Sequence, residues 1–596
     1  MSNTKDRLAA LTAQLSQDQL TGFVIPLTDE HMSEYVGGYA QRLEWLTGFA
    51  GSAGSAAVLG ARAAIFTDGR YTLQVREQVP GDIFEYQDVP KTSAAQWLAA
   101  HSASGDRIGY DPWLHTSGWA TTTGQMLASR GAELVPVAAN PIDSIWHGRP
   151  IPSDAKLEIH PHENAGRTSA EKRADIAAWL KASGADAVVI TALDSIAWLL
   201  NIRGRDVART PVALAFAIVH ADASVDLFTA PEKLSDDIRA HLGVHVRTQR
   251  REAFETALGG FSGKTVAADP KSAVAAVFDA LERGSTHILE IRDPCVLPKA
   301  IKNPVEIAGT QAAHRRDGAA LTRFLHWFAE EAPKGQLTEI SAAAKLRQFR
   351  DQTNVLEDLS FDTISGAGPN GAIVHYRVNE DTNRPIGLDS LYLVDSGGQY
   401  RDGTTDVTRT LAVGTPTSEM RDRFTRVLKG HIALGRAVFP VGTCGAQLDV
   451  LARAPLWEVG LDYAHGTGHG VGSYLAVHEG PQRITSSAAQ PGGDEPLAAG
   501  MIVSNEPGYY KTGEYGIRIE NLVLIEPRDV PGAEKPMLGF RELTLAPIDR
   551  ALVDTAMLSP VERQWVDNYH ARVYAEIGPQ LDDAVRGWLT TATAPL

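Results

Sequence analysis

Two stretches of this chain repeat one another in order and spacing, and that duplication constrains the fold more than any other feature. "GFVIP" (22–26) precedes "EWLTGFAGSAG" (44–54), and "AVVIT" (187–191) precedes "AWLLNIRG" (197–204). A later run reads "IFTDG" in the first copy and "LFTAP" in the second. Each copy has the rhythm of an α/β domain: a strand, a segment carrying Trp-Leu, further strands, then helix. Between them lies "IDSIWHGRPIPSDAK" (142–156), polar and rich in proline, as a linker is. At 596 residues the chain also exceeds what one hydrophobic core serves. The expected division is an α/β domain over 1–145, its repeat over 146–302, and a third domain over 303–596.

The start of the third domain is written in local chemistry. Asn303, Pro304 and Glu306 supply an N-cap, a proline at the first helical position and a carboxylate at the third. Leu321, Phe324, Leu325 and Phe328 then recur at helical spacing, so a long helix is expected. Further helices are expected near 338–350, 418–437 and 446–459, with strands between them and after them.

Composition excludes several classes of function. The hydrophobic fraction of 43% and charged fraction of 21% are those of a soluble globular protein. A formal net charge of −16, with no long run of Lys and Arg, argues against nucleic acid or an anionic membrane as partner. No stretch approaches the roughly 20 apolar residues that span a bilayer, and "MSNTKDRLAALTAQL" lacks the apolar core and cleavage site of a signal peptide. Two distant cysteines, Cys295 and Cys444, imply no disulfide framework and suit a reducing compartment, so a cytoplasmic location is expected.

The chemistry concentrates in the last third. In "LYLVDSGGQYRDGTTDVTRTLAV" (391–413), a strand-like run ends on Asp395 and a second opens after Asp406, so antiparallel pairing can set the two aspartates side by side. Paired carboxylates repel unless a cation neutralises them. "MIVSNEPGYY" ends a strand at Glu506, and "YGIRIENLVLI" places Arg518 and Glu520 on one face of an alternating strand, opposite Ile517, Ile519 and Asn521. A carboxylate among such neighbours is costly to bury unpaired. "HGTGHG" (465–470) spaces two histidines by four, but glycine at three of six positions disfavours a helix, so a loop or strand end is expected. Nor does it read as a phosphate cradle. One histidine with four carboxylates favours hard divalent ions such as Mn²⁺, with Co²⁺, Zn²⁺ or Fe²⁺ as alternatives. Bridging carboxylates can hold two such ions about 3.5–4 Å apart, an arrangement suited to hydrolysis.

Asp395, Asp406, His469, Glu506 and Glu520, in this order and these contexts, resemble the pita-bread metallopeptidases, the family of methionine aminopeptidase, prolidase and aminopeptidase P. "GAGPNGAIVHY" (366–376), "HGTGHGVGSYLAVHEGP" (465–481), "DGRY" (68–71) and "IWHGRP" (145–150) are similar to the three-domain cytosolic aminopeptidase P type. The resemblance implies two tandem creatinase/prolidase N-terminal-like α/β domains ahead of a pita-bread catalytic domain. It implies hydrolysis of the N-terminal Xaa-Pro bond by a water or hydroxide shared between two metal ions. Asp395 would bind one metal through both oxygens, Asp406 and Glu520 would bridge, and His469 with Glu506 would complete the other. Glu506 would accept the proton. His375 and His478 would lie beside the substrate and stabilise the tetrahedral intermediate, His465 would help form the proline pocket, and Arg518 would hold a bridging carboxylate from behind. Arg70 and Tyr71, in the first domain, read as residues of a structural turn.

The expected substrates are peptides with proline at position two, and the expected assembly is a homodimer. A prolidase limited to dipeptides shares the metal set and is the nearest rival. A non-catalytic pita-bread binding protein would be expected to have lost ligands, and a creatinase-like amidinohydrolase to lack the full metal set.

Overall fold

The computed structural model describes residues 3–89 and 91–596. They form two compact units, one reaching to His162 and continuing over Arg167–Val296, the other made of Glu163–Gly166 and Leu297–Leu596.

The first unit contains two six-stranded sheets of the same topology. In one, the strands run in the order Glu85–Asp88, Arg62–Thr67, Ser55–Leu59, Gly22–Pro26, Arg107–Tyr110, Glu133–Pro136. In the other, the order is Val246–Gln249, Val225–Phe228, Phe216–His220, Ala187–Ile190, Thr265–Ala268, His287–Glu290. Each repeat's leading strand, "GFVI" or "AVVI", lies inside its sheet, antiparallel to one neighbour and parallel to the other. Burial on both faces explains why these strands are apolar without alternation. The Trp-Leu segments are the helices Arg42–Thr47 and Leu193–Leu200, which bury Leu43, Leu46, Leu199 and Leu200. Tyr71 is buried, with its hydroxyl 3.0 Å from the Ser52 amide that donates to it, and Arg70 pairs with Asp68 at 2.7 Å. Both contacts fit the structural reading of that turn.

The second unit opens on the expected helix, Pro304–Glu331. Asn303 accepts from the Val305 and Glu306 amides at 2.9 and 3.2 Å, and Glu306 accepts from the Asn303 amide at 3.0 Å. Leu321, Phe324, Leu325 and Phe328 are buried with Leu346 of the helix Glu339–Asp351 and with Tyr392 and Val394. The helices Ser418–Gly435 and Gly445–Trp457 follow, close to the expected positions. They pack against an antiparallel sheet ordered Val438–Pro440, Met537–Glu542, Asn521–Arg528, Ile502–Asn505, Gly468–Gly470, Glu479–Ile484. A second sheet joins Ile364–Ala367, Ser390–Ser396 and Val407–Val413.

One expectation needs correction. Glu520 does not sit within a continuous strand: Tyr515–Arg518 pairs only with Gly508–Lys511, and Asn521–Arg528 joins the large sheet. The break has a physical cause. The Ile519 amide still donates to Pro507 O at 3.3 Å, in register with the short hairpin, whereas the Glu520 amide turns away and donates to Thr408 O at 3.2 Å before Asn521 enters the large sheet.

Candidate metal centre

The two aspartates come together as the hairpin reading requires. Ser390–Ser396 and Val407–Val413 are antiparallel, with Asp395 opposite Thr408 and Asp406 immediately before the second strand. Their connection is more elaborate than a glycine turn, because Gly398–Tyr400 and Gly403–Thr404 form a small hairpin of their own. Both aspartates are buried.

His469 is the middle residue of the three-residue strand Gly468–Gly470, consistent with a strand end rather than a helix. The flanking glycines let neighbouring chains approach it. A Cβ on Gly468 would overlap the Ser504 carbonyl oxygen, and one on Gly470 would overlap that of Glu479. Glu506 follows the strand Ile502–Asn505, its amide donating to Thr467 O at 2.9 Å and its carboxylate accepting from Ser504 Oγ at 3.0 Å.

These elements converge. One donor atom from each of Asp406, His469 and Glu520 lies within 4.8 Å of the other two. His469 Nε2 is 3.6 Å from Asp406 Oδ2 and 3.3 Å from Glu506 Oε1. Burial and the charges of Asp395 and Glu506 hold Asp406 well above the usual carboxylate range. Burial, with Asp406, Asp395 and Glu506, does the same to Glu520. Burial pushes Glu506 up to about 7 against the pull of Arg518. Such mutual elevation is what clustered carboxylates show when no cation offsets their repulsion.

The side chains fit divalent cations. The His469 Nδ1 lies 3.0 Å from Gly470 O, a contact that assigns the proton to Nδ1 and leaves Nε2 as a lone-pair donor facing the carboxylates. Asp395 Oδ1 is buried with no hydrogen-bond partner, while its Oδ2 accepts from Arg518 Nη2 at 2.7 Å. An oxygen-rich set with one imidazole matches hard divalent ions.

Arg518 lies behind these carboxylates. Its direct ion-pair partner is Asp395, and it reaches Glu520 through Thr408: Nε donates to Thr408 Oγ1 at 3.1 Å, and that hydroxyl donates to Glu520 Oε2 at 2.7 Å. The cause is backbone pinning. Arg518 N donates to Thr410 Oγ1 and Thr410 Oγ1 donates to Arg518 O, both at 3.0 Å, which aims the guanidinium across Thr408 toward the neighbouring strand. Burial opposes its charge, but Tyr510, Asp395, Glu506 and Glu520 keep its pKa well above the ordinary value.

Of the accessory histidines, His478 lies directly against the cluster and His465 is linked to it through Tyr510. The ring of His478 lies 4.3 Å from that of His469, edge to face, and its charge lowers the pKa of Glu506. His465 Nε2 is 2.9 Å from Tyr510 Oη, which accepts from Arg518 Nη1 at 2.7 Å. His375 is half-buried in the turn after Gly368–Ala372, next to Val374, whose carbonyl accepts from Arg518 at 3.3 Å. Tyr510 and Thr408, which join Arg518 to His465 and Glu520, are not marked by any motif in the chain. Their only signal is position, one residue beyond a Pro-Gly-Tyr turn and two beyond Asp406.

Comparison with known proteins agrees with this architecture. The chain matches Metallopeptidase family M24 over residues 308–527 and the C-terminal region of peptidase M24 over 536–596. Residues 7–145 and 148–306 each match a creatinase/prolidase N-terminal domain. A probable Xaa-Pro aminopeptidase P from Aspergillus fumigatus is 40% identical over 624 aligned residues, covering 100% of this chain and 93% of the relative. The chain belongs to the Xaa-Pro aminopeptidase P family of M24 metallopeptidases. A second such relative, from Talaromyces stipitatus, is also 40% identical, with 100% and 92% of the two chains covered. The solved structure of an X-prolyl aminopeptidase from Caenorhabditis elegans, described as a cytosolic enzyme with a di-nuclear active site, is similar at a TM-score of 0.95 and 34% identity over 100% of both chains. The expected class, tandem creatinase-like domains before a pita-bread peptidase domain, is therefore correct.

Proposed function

We propose that this chain is a dinuclear-metal aminopeptidase that releases the first residue from peptides carrying proline at position two. The observation that carries the reading is the convergence of Asp406, His469, Glu506 and Glu520, with Asp395 held beside them by Arg518. In this reading all five hold two divalent ions, Mn²⁺ foremost and Co²⁺ or Zn²⁺ as alternatives. Bound there, the ions supply Lewis acidity that makes hydroxide available near neutral pH.

The chain's own side chains do the rest. Glu506, within 3.3 Å of His469 Nε2, accepts the proton of the attacking water and returns it to the leaving nitrogen. His375 and His478 donate to the scissile carbonyl oxygen as charge develops on it. Tyr463 and Tyr510 flank His465, with ring centroids 4.8 and 5.5 Å away, and these apolar faces make a surface for the proline ring. Arg518 fixes the carboxylate of Asp395 and, through Thr408, that of Glu520. A tertiary amide lacks the N–H that most peptidases grip, so recognition must fall on the ring and the free α-amine.

The division at 145/146 and 302/303 belongs to the same reading; the matched ranges 7–145, 148–306 and 308–527 favour a three-part chain, with the second match running four residues past 302. A homodimer in the cytoplasm is the proposed state. Among the described residues no helix is long and apolar enough to cross a membrane.

Purified protein stripped of metal should be inactive and recover on addition of Mn²⁺, releasing arginine from Arg-Pro-Pro. Gly-Pro and Arg-Ala-Ala serve as controls. Cleavage of Gly-Pro alone would make the chain a prolidase, and activity that survives exhaustive metal removal would overturn the mechanism.

A further inference from the structure

Between the strands Gly468–Gly470 and Glu479–Ile484 the chain runs through Val471–His478 without regular secondary structure, yet His478 must be held steadily beside His469. Two clamps fix this segment. On one side, Gln399 donates from Nε2 to Leu475 O at 2.8 Å and is itself held by Thr404 Oγ1 at 2.8 Å. On the other, Glu479, the residue after His478, receives an ammonium on each carboxylate oxygen: Lys302 Nζ on Oε1, and Lys299 Nζ on Oε2 at 3.0 Å. All three ionic side chains are buried, at 3%, 0% and 0% exposure for Lys299, Lys302 and Glu479.

One lysine would neutralise one carboxylate. Lys302 fixes the side chain by a direct hydrogen bond to Oε1, while Lys299 adds its charge beside Oε2 without hydrogen-bond geometry, so the path of the Glu479 side chain is set chiefly by Lys302. The Glu479 backbone is fixed opposite Gly470, next to His469. Lys302 is tied down in turn. Its amide donates to Gly500 O at 2.9 Å, and it directly precedes Asn303, the cap of the long helix. The rigid end of that helix is thus connected through Lys302 and Glu479 to the backbone that presents His478.

We propose that Lys302, assisted by Lys299, is a positioning residue for the reaction: it holds Glu479 so that the imidazole of His478 meets the transition state in the correct place. This rests on the reading of His478 as a catalytic group. Displacement of such a group by a fraction of an ångström lowers kcat while leaving ground-state binding largely intact.

The test uses the full-length, Mn²⁺-loaded enzyme acting on Arg-Pro-Pro. Lys302→Met should lower kcat by about 10- to 100-fold with KM changed by less than about threefold and the metal content unchanged, and Lys302→Arg should recover most of the loss. In a His478→Ala background, Lys302→Met should alter the residual kcat by less than about twofold, because the group it positions is gone. A wild-type kcat in Lys302→Met, or the same loss with and without His478, would overturn the proposal. Should Lys302→Met fail to fold, Lys299→Met enters the same comparison with the same two outcomes. Failure of the underlying reading looks different: His478→Ala alone would then keep wild-type kcat.

Discussion

Arg518 Nη2 lies 2.7 Å from Asp395 Oδ2, and the same guanidinium reaches Thr408 and Tyr510, so one buried cation braces the carboxylate of Asp395, a hydroxyl bound to Glu520 and the tyrosine beside His465. The planar fork of arginine serves three directions at once, which the point charge of lysine cannot do.

Arg518→Lys should therefore keep a positive charge but lose the geometry. Metal affinity should fall by about 10- to 100-fold, the usual consequence of losing a partner behind a ligand. Calorimetric titration of Mn²⁺ into the metal-free protein reads this directly, and an unchanged affinity would contradict the bracing role.

His469→Ala removes the imidazole nitrogen from the site. Turnover of Arg-Pro-Pro should be abolished and metal content should drop, with the far-UV circular dichroism unchanged. The short strand it sits on is held by backbone pairing to both neighbours, which alanine preserves. Retention of both activity and bound metal would remove His469 from the ligand set.

At Gly468 even one added carbon has nowhere to go, since the Ser504 carbonyl occupies the space. Gly468→Ala should destabilise the second unit by about 3 kcal/mol or more, at the upper end for overpacking. Differential scanning calorimetry would show a lowered transition. Equal stability would mean that the sheet can spread at no cost.

Glu542 offers a pH signature outside the ligand set. Burial pushes its pKa up to about 7, although Asn521 donates to its Oε2 at 2.7 Å, and its Oε1 is buried with no hydrogen-bond partner. A carboxyl raised in the folded state contributes stability that is full below about pH 4.5 and is lost as the pH rises through 7. Glu542→Gln cannot ionise, so it should match wild type near pH 5 and exceed it by up to about 3 kcal/mol at pH 8. Urea denaturation at the two pH values provides the comparison. A difference independent of pH would show that Glu542 titrates normally.

Local chemistry in the chain was enough to mark the duplicated α/β pattern, the capped helix after Asn303 and the five ligand candidates. Capping is decided within four residues, and strand-ending carboxylates next to glycine and proline stand out in any context. The break at Glu520 was hidden, because it depends on whether that amide continues the hairpin pairing that Ile519 makes to Pro507 or turns to Thr408. The partner of Arg518 was hidden for the same reason. Residues 395, 408, 410 and 518 meet only once three strands are in register.

What the sequence determined by itself is the inventory: which side chains can accept a cation, and which backbone segments can approach closely because they lack a Cβ. What only the tertiary structure decided is who faces whom, including the two lysines that grip Glu479 from about 180 positions upstream. Hydrogen bonds and ion pairs act over a few ångströms, so partners far apart along the chain become readable only after folding has set their distances.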